Sequence, residues 1–70
     1  MKWEIAMQGG KQWYPLGTAE GSNRTTALES WIEKEGTVWP GRYGVRSLEE
    51  TAWQPFTVDP RGAVHDRRID

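Results

Sequence analysis

The stretch KWEIAMQGGKQWYPL, residues 2–16, contains the clearest local signal for the fold. Trp3, Ile5 and Met7 fall on one side of an extended chain, which is the period of a half-buried strand. The Gly9–Gly10 pair that follows is able to take the positive φ values of a tight hairpin turn. KQWYPL then returns as a second strand, so this stretch predicts a β-hairpin.

A second hairpin is predicted forty positions later. RYGVRSL alternates, EETA connects, and WQPFTV reads as the last strand. When the second hairpin is moved back by forty residues, WQPF falls on WYPL without a gap, and Trp53 falls on Trp13. The shared Trp-x-Pro-apolar pattern indicates either a duplication or two similar solutions to one packing problem.

A helix is predicted between the hairpins, from about Arg24 to Glu35. Its apolar residues lie at the spacing of a single helical stripe: Ala27, Leu28, Trp31 and Ile32. Ser22 or Asn23 is the natural N-cap, and Gly36 is a suitable residue just after the C-terminus.

These elements predict an α+β fold with the order β-β-α-β-β, a four-stranded antiparallel sheet with one helix packed on one face. Two strand orders keep every pair antiparallel, 2-1-3-4 and 1-2-4-3, and we favour the first. Residues 1–58 form the single small domain, because 70 residues are enough for one thin core. Residues 59–70 carry Pro, Gly and mixed charge without a period, and are expected to be a flexible tail.

The hairpin register decides where the aromatic side chains point. A turn centred on Gly9–Gly10 pairs Ala6 with Trp13, and paired residues share a face. The helix-covered face then collects the expected core residues of the strands: Trp3, Ile5, Met7, Tyr14, Leu16, Tyr43, Val45, Phe56 and Val58. Trp39, in the loop TVWPG, is expected to pack against the rim of the sheet.

The opposite face collects both Trp-x-Pro tryptophans. Trp13 and Trp53 lie there beside the basic residues Lys11, Arg42 and Arg46, and a single helix covers only one face of a sheet. These five residues are the predicted binding site. A slip of one residue, or a bulge at the prolines, would instead turn the tryptophans into the core, and both interpretations stay open at this point.

The amino-acid composition limits the catalytic and metal-binding chemistry that the chain is expected to perform. The chain has no cysteine, one histidine and a net charge of −1, so there is no thiolate to act as nucleophile or zinc ligand. No catalytic residues, metal ligands or cofactor are predicted, and an enzyme is not expected. The first residues alternate rather than forming the apolar run of a signal peptide, no segment suits a membrane span, and a cytoplasmic location is expected.

Two classes of function remain. The first is a non-enzymatic protein-interaction module that meets a protein partner or a second copy through the Trp and Arg face, since Trp, Tyr and Arg anchor such surfaces. The alternative is a single-stranded nucleic-acid-binding protein that stacks bases on Trp13 and Trp53. The nearly neutral net charge favours the first class.

The two Trp-x-Pro-apolar hairpins, the use of six arginines against three lysines and the small size resemble small accessory proteins of high-GC bacteria and their phages. The resemblance is one of general style over residues 1–58 and carries no functional residues across. It implies a non-enzymatic protein that acts by binding a component of the host or of its own virion.

Overall fold

The computed structural model describes residues 1–36 and 39–67. The elements in chain order are β1 (Lys2–Gly9), β2 (Gln12–Glu20), α1 (Arg24–Glu35), β3 (Gly41–Ser47), β4 (Gln54–Val58) and β5 (Val64–Asp66). The strands form one sheet in the order β2-β1-β3-β4-β5, and each neighbouring pair is antiparallel. The α+β class is therefore confirmed, and the first four strands follow the favoured order 2-1-3-4.

The prediction of four strands is wrong, because β5 adds a fifth strand from within segment 59–70. The carboxylate of Asp59 accepts hydrogen bonds from the backbone N–H groups of Arg61 and Ala63, both at 2.9 Å. This turn brings Val64 back opposite Val58, where it packs against the core. The flexibility of the segment stays a prediction, and residues 68–70 lie outside the described residues.

The register of the first hairpin differs from the predicted one by two residues. Gly9 pairs with Gln12, so the loop consists of Gly10 and Lys11, and Gly10 has a φ of 62°. A type II′ turn requires glycine only at its first central position, which explains why the turn does not centre on the glycine pair. A shift of two residues keeps the side chains between the turn and Pro15 on their own faces, so Trp13 still lies on the face that the helix does not cover.

A β-bulge interrupts the same strand pair further along. Ala6 pairs with Pro15, whereas its neighbour Ile5 pairs with Gly17, so Leu16 is the extra residue of β2. Gly17 has a φ of 155°, and an added Cβ there would lie 2.9 Å from Cζ3 of Trp31. The bulge thus lets the helix approach β2 at a position without a side chain.

The core lies between α1 and the helix-covered face of the sheet. Its buried members are Trp3, Ile5, Ala27, Leu28, Tyr43, Val45, Phe56 and Val58, with Met7, Ala19, Trp31, Ile32 and Val64 partly buried against them. The apolar stripe of the helix predicts Leu28, Trp31 and Ile32 as its side of the core; Leu28 is fully buried, whereas Trp31 and Ile32 are only partly buried.

Two residues predicted in the core are exposed instead. Tyr14 is 56% and Leu16 is 42% exposed. The helix has 12 residues, about 18 Å, whereas the nine residues of β2 span about 30 Å. The helix therefore leaves part of β2 uncovered, and the ring of Tyr14 lies over Gly9 instead.

The helix boundaries agree with the predicted ones because both caps have the expected geometry. The side chain of Asn23 accepts a hydrogen bond from the backbone N–H of Thr26 at 2.9 Å. Gly36 is left-handed, with a φ of 72°, and its N–H donates to the carbonyl of Ile32. Thr37 and Val38, in the stretch TVWPG that is predicted as a loop, lie outside the described residues.

Candidate functional site

The two Trp-x-Pro tryptophans meet on the face of the sheet that the helix does not cover, which we call the outer face. Trp13 belongs to β2 and Trp53 directly precedes β4, so β1 and β3 lie between them. Their ring centroids are nevertheless only 6.0 Å apart, and the ring planes differ by 28°. The two side chains thus extend toward each other across the central strands.

Small residues beneath the rings make this approach possible. Pro15, Ala6, Gly44 and Pro55 are successive partners across four strands. Ala6 is fully buried although no helix covers it. A Cβ added to Gly44 would lie 2.6 Å from Cζ3 of Trp13 and 3.0 Å from Cβ of Trp53. The two tryptophans therefore cover the middle of the outer face, where no helix packs.

This row explains the repeated pattern in the sequence. The two prolines are the two ends of this row. Each tryptophan lies two residues before its proline, on the same face of the sheet. Its side chain extends toward the other tryptophan, over the small residues in the middle of the row. The Trp-x-Pro element is thus one structural device used twice, on either side of the β1–β3 boundary.

Arg46 is joined to this cluster. Its guanidinium carbon lies 4.0 Å from the ring centroid of Trp53, in a cation–π arrangement. Its Nη1 donates to the carbonyl of Thr51 at 3.0 Å and its Nη2 to Glu4 at 3.4 Å. Its Nε is also 3.4 Å from a carboxylate oxygen of Glu4, an ion-pair distance that lacks hydrogen-bond geometry. The charge of Arg46 is therefore largely offset within the molecule.

The other two predicted site residues stand apart from the tryptophans. Lys11 is exposed in the β1–β2 turn, and Arg42 is exposed on β3 opposite Thr57. Neither side chain makes a hydrogen bond or ion pair with any residue of the described ranges 1–36 and 39–67. The structure thus brings together Trp13, Trp53 and Arg46, and leaves two positive charges at the periphery.

A second surface lies on the helix side of the sheet, near the C-terminus of α1. It is an open apolar groove of about 540 Å³, which we call the aromatic groove. Its lining comes from β1, β2, α1, β3 and the segment before β3, with these apolar side chains: Met7, Leu16, Trp31, Ile32, Trp39 and Tyr43. Glu35 supplies a carboxylate to the lining.

Trp39 is the most exposed aromatic residue of the groove, at 66%. Its backbone is nevertheless anchored, because the hydroxyl of Tyr43 donates to the carbonyl of Trp39 at 2.6 Å. The Tyr43 side chain is buried, and burial raises the pKa of its hydroxyl above the usual 10.0. The hydroxyl therefore stays protonated as a donor at neutral pH, and it holds the backbone carbonyl of Trp39 by one hydrogen bond.

Sequence reasoning missed this surface. It assigned Leu16 to the core and Trp39 to the packed rim, and both are exposed and line the groove. One signal was present, since Pro15 and Gly17 interrupt the alternation of β2 and mark a strand that departs from regular pairing. A 12-residue helix is also too short to cover a long edge strand.

Neither a search for metal and membrane-spanning sites nor comparisons with known proteins point to a further function. Within the described ranges, no cluster of three or more His, Asp or Glu side chains is arranged to hold a metal ion. No helix in the part of the chain that the structure describes is both long and apolar enough to cross a membrane. No family model, curated protein or solved structure matches this chain.

Proposed function

We propose that this chain is a small protein-interaction module that docks its partner on the aromatic groove. The observation that carries the proposal is the exposed indole of Trp39 in the wall of an open apolar groove, with its backbone carbonyl held by the Tyr43 hydroxyl. Contiguous apolar surface of this kind on a small domain is typical of interaction sites. Tryptophan and tyrosine are also the residue types most often found as binding anchors.

The expected gain from covering Trp39 is large enough to matter. A whole aromatic side chain buries about 150–250 Å², and Trp39 is 66% exposed. Covering the remainder at about 25 cal/mol per Å² would stabilise a complex by roughly 2.5–4 kcal/mol. This is the range of a binding hot spot, so a single side chain provides a sensitive test.

The outer face is a weaker candidate for the docking surface than the aromatic groove. Trp13 and Trp53 are only partly exposed and stack on each other, so a partner would gain less from covering them. Arg46 is already paired with Glu4 and hydrogen-bonded to the chain. The predicted binding role of Trp13, Trp53, Lys11, Arg42 and Arg46 therefore ranks below docking on the aromatic groove.

Base stacking on the outer face is the alternative function. In its favour, Lys11 and Arg42 are exposed and unpaired within the described residues. Stacking requires a free ring face, however, and Trp53 is flanked by Trp13 and by Arg46. Binding of a single-stranded oligonucleotide that weakens steeply with salt, and that Trp39→Ser leaves unchanged, would favour this alternative over the proposal.

Selection from a phage-displayed random peptide library tests the proposal directly. We expect enriched peptides to bind the wild type and to lose at least about tenfold in affinity on Trp39→Ser, because the lost contact is worth more than 1.4 kcal/mol. The matched control is Leu48→Ser, since Leu48 is 57% exposed but lies outside the groove. Failure to enrich any peptide, or enriched peptides that bind Trp39→Ser as tightly as the wild type, would contradict the proposal.

A further inference from the structure

We infer that the partner docks on the aromatic groove through an arginine side chain, whose guanidinium group lies on the indole of Trp39 and pairs with the carboxylate of Glu35. The inference rests on the proposed function and names the chemistry of the partner, a peptide segment that carries an arginine beside apolar residues. The exposed indole and the carboxylate that would receive the guanidinium both belong to the lining of the groove.

The first argument is that the chain makes this arrangement twice within itself. Each instance consists of one tryptophan, one arginine and one glutamate: Trp53 with Arg46 and Glu4, and Trp3 with Arg24 and Glu50. The guanidinium carbons lie 4.0 Å and 5.0 Å from the two ring centroids, and each guanidinium forms an ion pair with its glutamate. The ring attracts the cation through its electron-rich face, and the carboxylate adds a charged contact.

The groove contains the tryptophan and the glutamate of such a set without the arginine. Trp39 is 66% exposed, and Glu35 is exposed as well. Neither side chain makes a ring contact or an ion pair within residues 1–36 and 39–67. An arginine supplied by a partner would complete a third set of the same composition.

The charge around the groove also favours a cation. Glu35 is the one charged residue in the lining that the structure describes. Ile32 and Glu35 belong to the last turn of α1, and the C-terminus of a helix carries a partial negative charge that stabilises cations. Lys34 belongs to the same turn, but it lines a separate depression together with Lys2 and Ser30, so it does not supply the missing cation to the groove.

Arginine fits these groups better than lysine does. Its guanidinium is planar, stacks on aromatic rings and donates two parallel hydrogen bonds to a carboxylate, whereas an ammonium group is a strongly hydrated point charge. Met7, Leu16 and Ile32 supply apolar walls. The aliphatic stem of an arginine is able to lie along such walls while its charged end reaches the carboxylate.

The peptides selected on the wild type provide the test. We expect every peptide whose binding depends on Trp39 to contain an arginine. Exchange of that arginine for citrulline, which has nearly the same shape but no charge, should weaken binding at least about fivefold in isothermal titration. Trp39-dependent peptides without arginine, or citrulline peptides that bind as tightly as their arginine parents, would overturn the inference and leave the proposed function standing. A selection that yields no Trp39-dependent peptide would overturn both.

Glu35→Gln tests the carboxylate from the side of the protein. It keeps the size of the side chain and should weaken the arginine peptides by about two- to fivefold, whereas the citrulline peptides should bind it as they bind the wild type. The matched control is Glu29→Gln, which changes the net charge equally at an exposed position of the same helix outside the groove. A far-UV circular dichroism spectrum establishes that each variant is folded. An unchanged affinity in Glu35→Gln, or an equal loss in both variants, would overturn the pairing with Glu35.

Discussion

Gly44→Ala tests the tryptophan layer on the outer face. Gly44 is buried in the middle of β3, and its missing Cβ is what allows Trp13 and Trp53 to meet above the sheet. Its φ is not positive, so alanine fits the backbone. The substitution therefore changes the space beneath the two rings and little else.

Two opposing effects determine how much Gly44→Ala changes the free energy of unfolding. Replacing glycine by alanine at a compatible position stabilises a protein by about 0.4–1 kcal/mol, through the unfolded chain. The new Cβ would lie 2.6 Å from Cζ3 of Trp13, and overpacking of this kind costs about 1–3 kcal/mol. The cost of the clash is the larger of the two effects, so we expect Gly44→Ala to lower the free energy of unfolding by about 1–2 kcal/mol. The midpoint of thermal unfolding should fall by roughly 4–16 °C.

The assay is urea unfolding followed by circular dichroism, performed as a double-mutant cycle with Trp13→Leu. Leucine removes the ring atoms that the new Cβ would meet but keeps an apolar side chain over the sheet. In that background Gly44→Ala should be neutral or stabilising by up to about 1 kcal/mol. A Gly44→Ala protein as stable as the wild type, or an equal loss in both backgrounds, would refute the stacked arrangement.

Three smaller changes test the rest of the fold. Asn23→Ala should lower the free energy of unfolding by about 1 kcal/mol, measured in urea, because the helix loses its N-cap. Deletion of residues 60–70 should lower the thermal midpoint, since it removes β5 and the packing of Val64; an unchanged midpoint would instead agree with the flexible tail expected from the sequence. The pKa of Asp59 lies below its usual 3.8, mainly because the Ala63 N–H donates to the carboxylate. The stability it contributes is therefore present above pH 3.8 and lost as the pH falls through the folded pKa, and Asp59→Asn should flatten the acid limb of a thermal-midpoint profile.

Local patterns in the sequence predicted the elements well because periodicity and caps act over a few residues. The 12-residue helix begins after Asn23 and ends before Gly36, as its cap residues indicated. The outer-face position of Trp13 agrees with one of the two interpretations left open by the sequence, although the hairpin register was wrong. An error of two residues preserves the side of the sheet, whereas an error of one would have reversed it.

The remaining features depend on contacts that the sequence pattern does not contain. β5 has three residues, too few for a period, and a turn held by the side chain of Asp59 aligns it with β4. The exposure of Tyr14 and Leu16 follows from the bulge and from the length of the helix relative to β2. Pro15 and Gly17 indicate an irregular strand, but the position of the bulge and the length of β2 are defined only by its pairing with β1.

The exposure of the five tryptophans explains why we assign the binding site to the helix side of the sheet and not to the predicted outer face. Trp3 is buried, with its indole N–H donating to the carbonyl of Gly21 at 3.0 Å, and Trp31 packs over Gly17. Trp13 and Trp53 cover each other. Trp39 alone among the five leaves most of its surface to solvent. Substitutions at the stacked pair should therefore change the free energy of unfolding, whereas substitution of Trp39 should change association and leave the fold almost as stable as before.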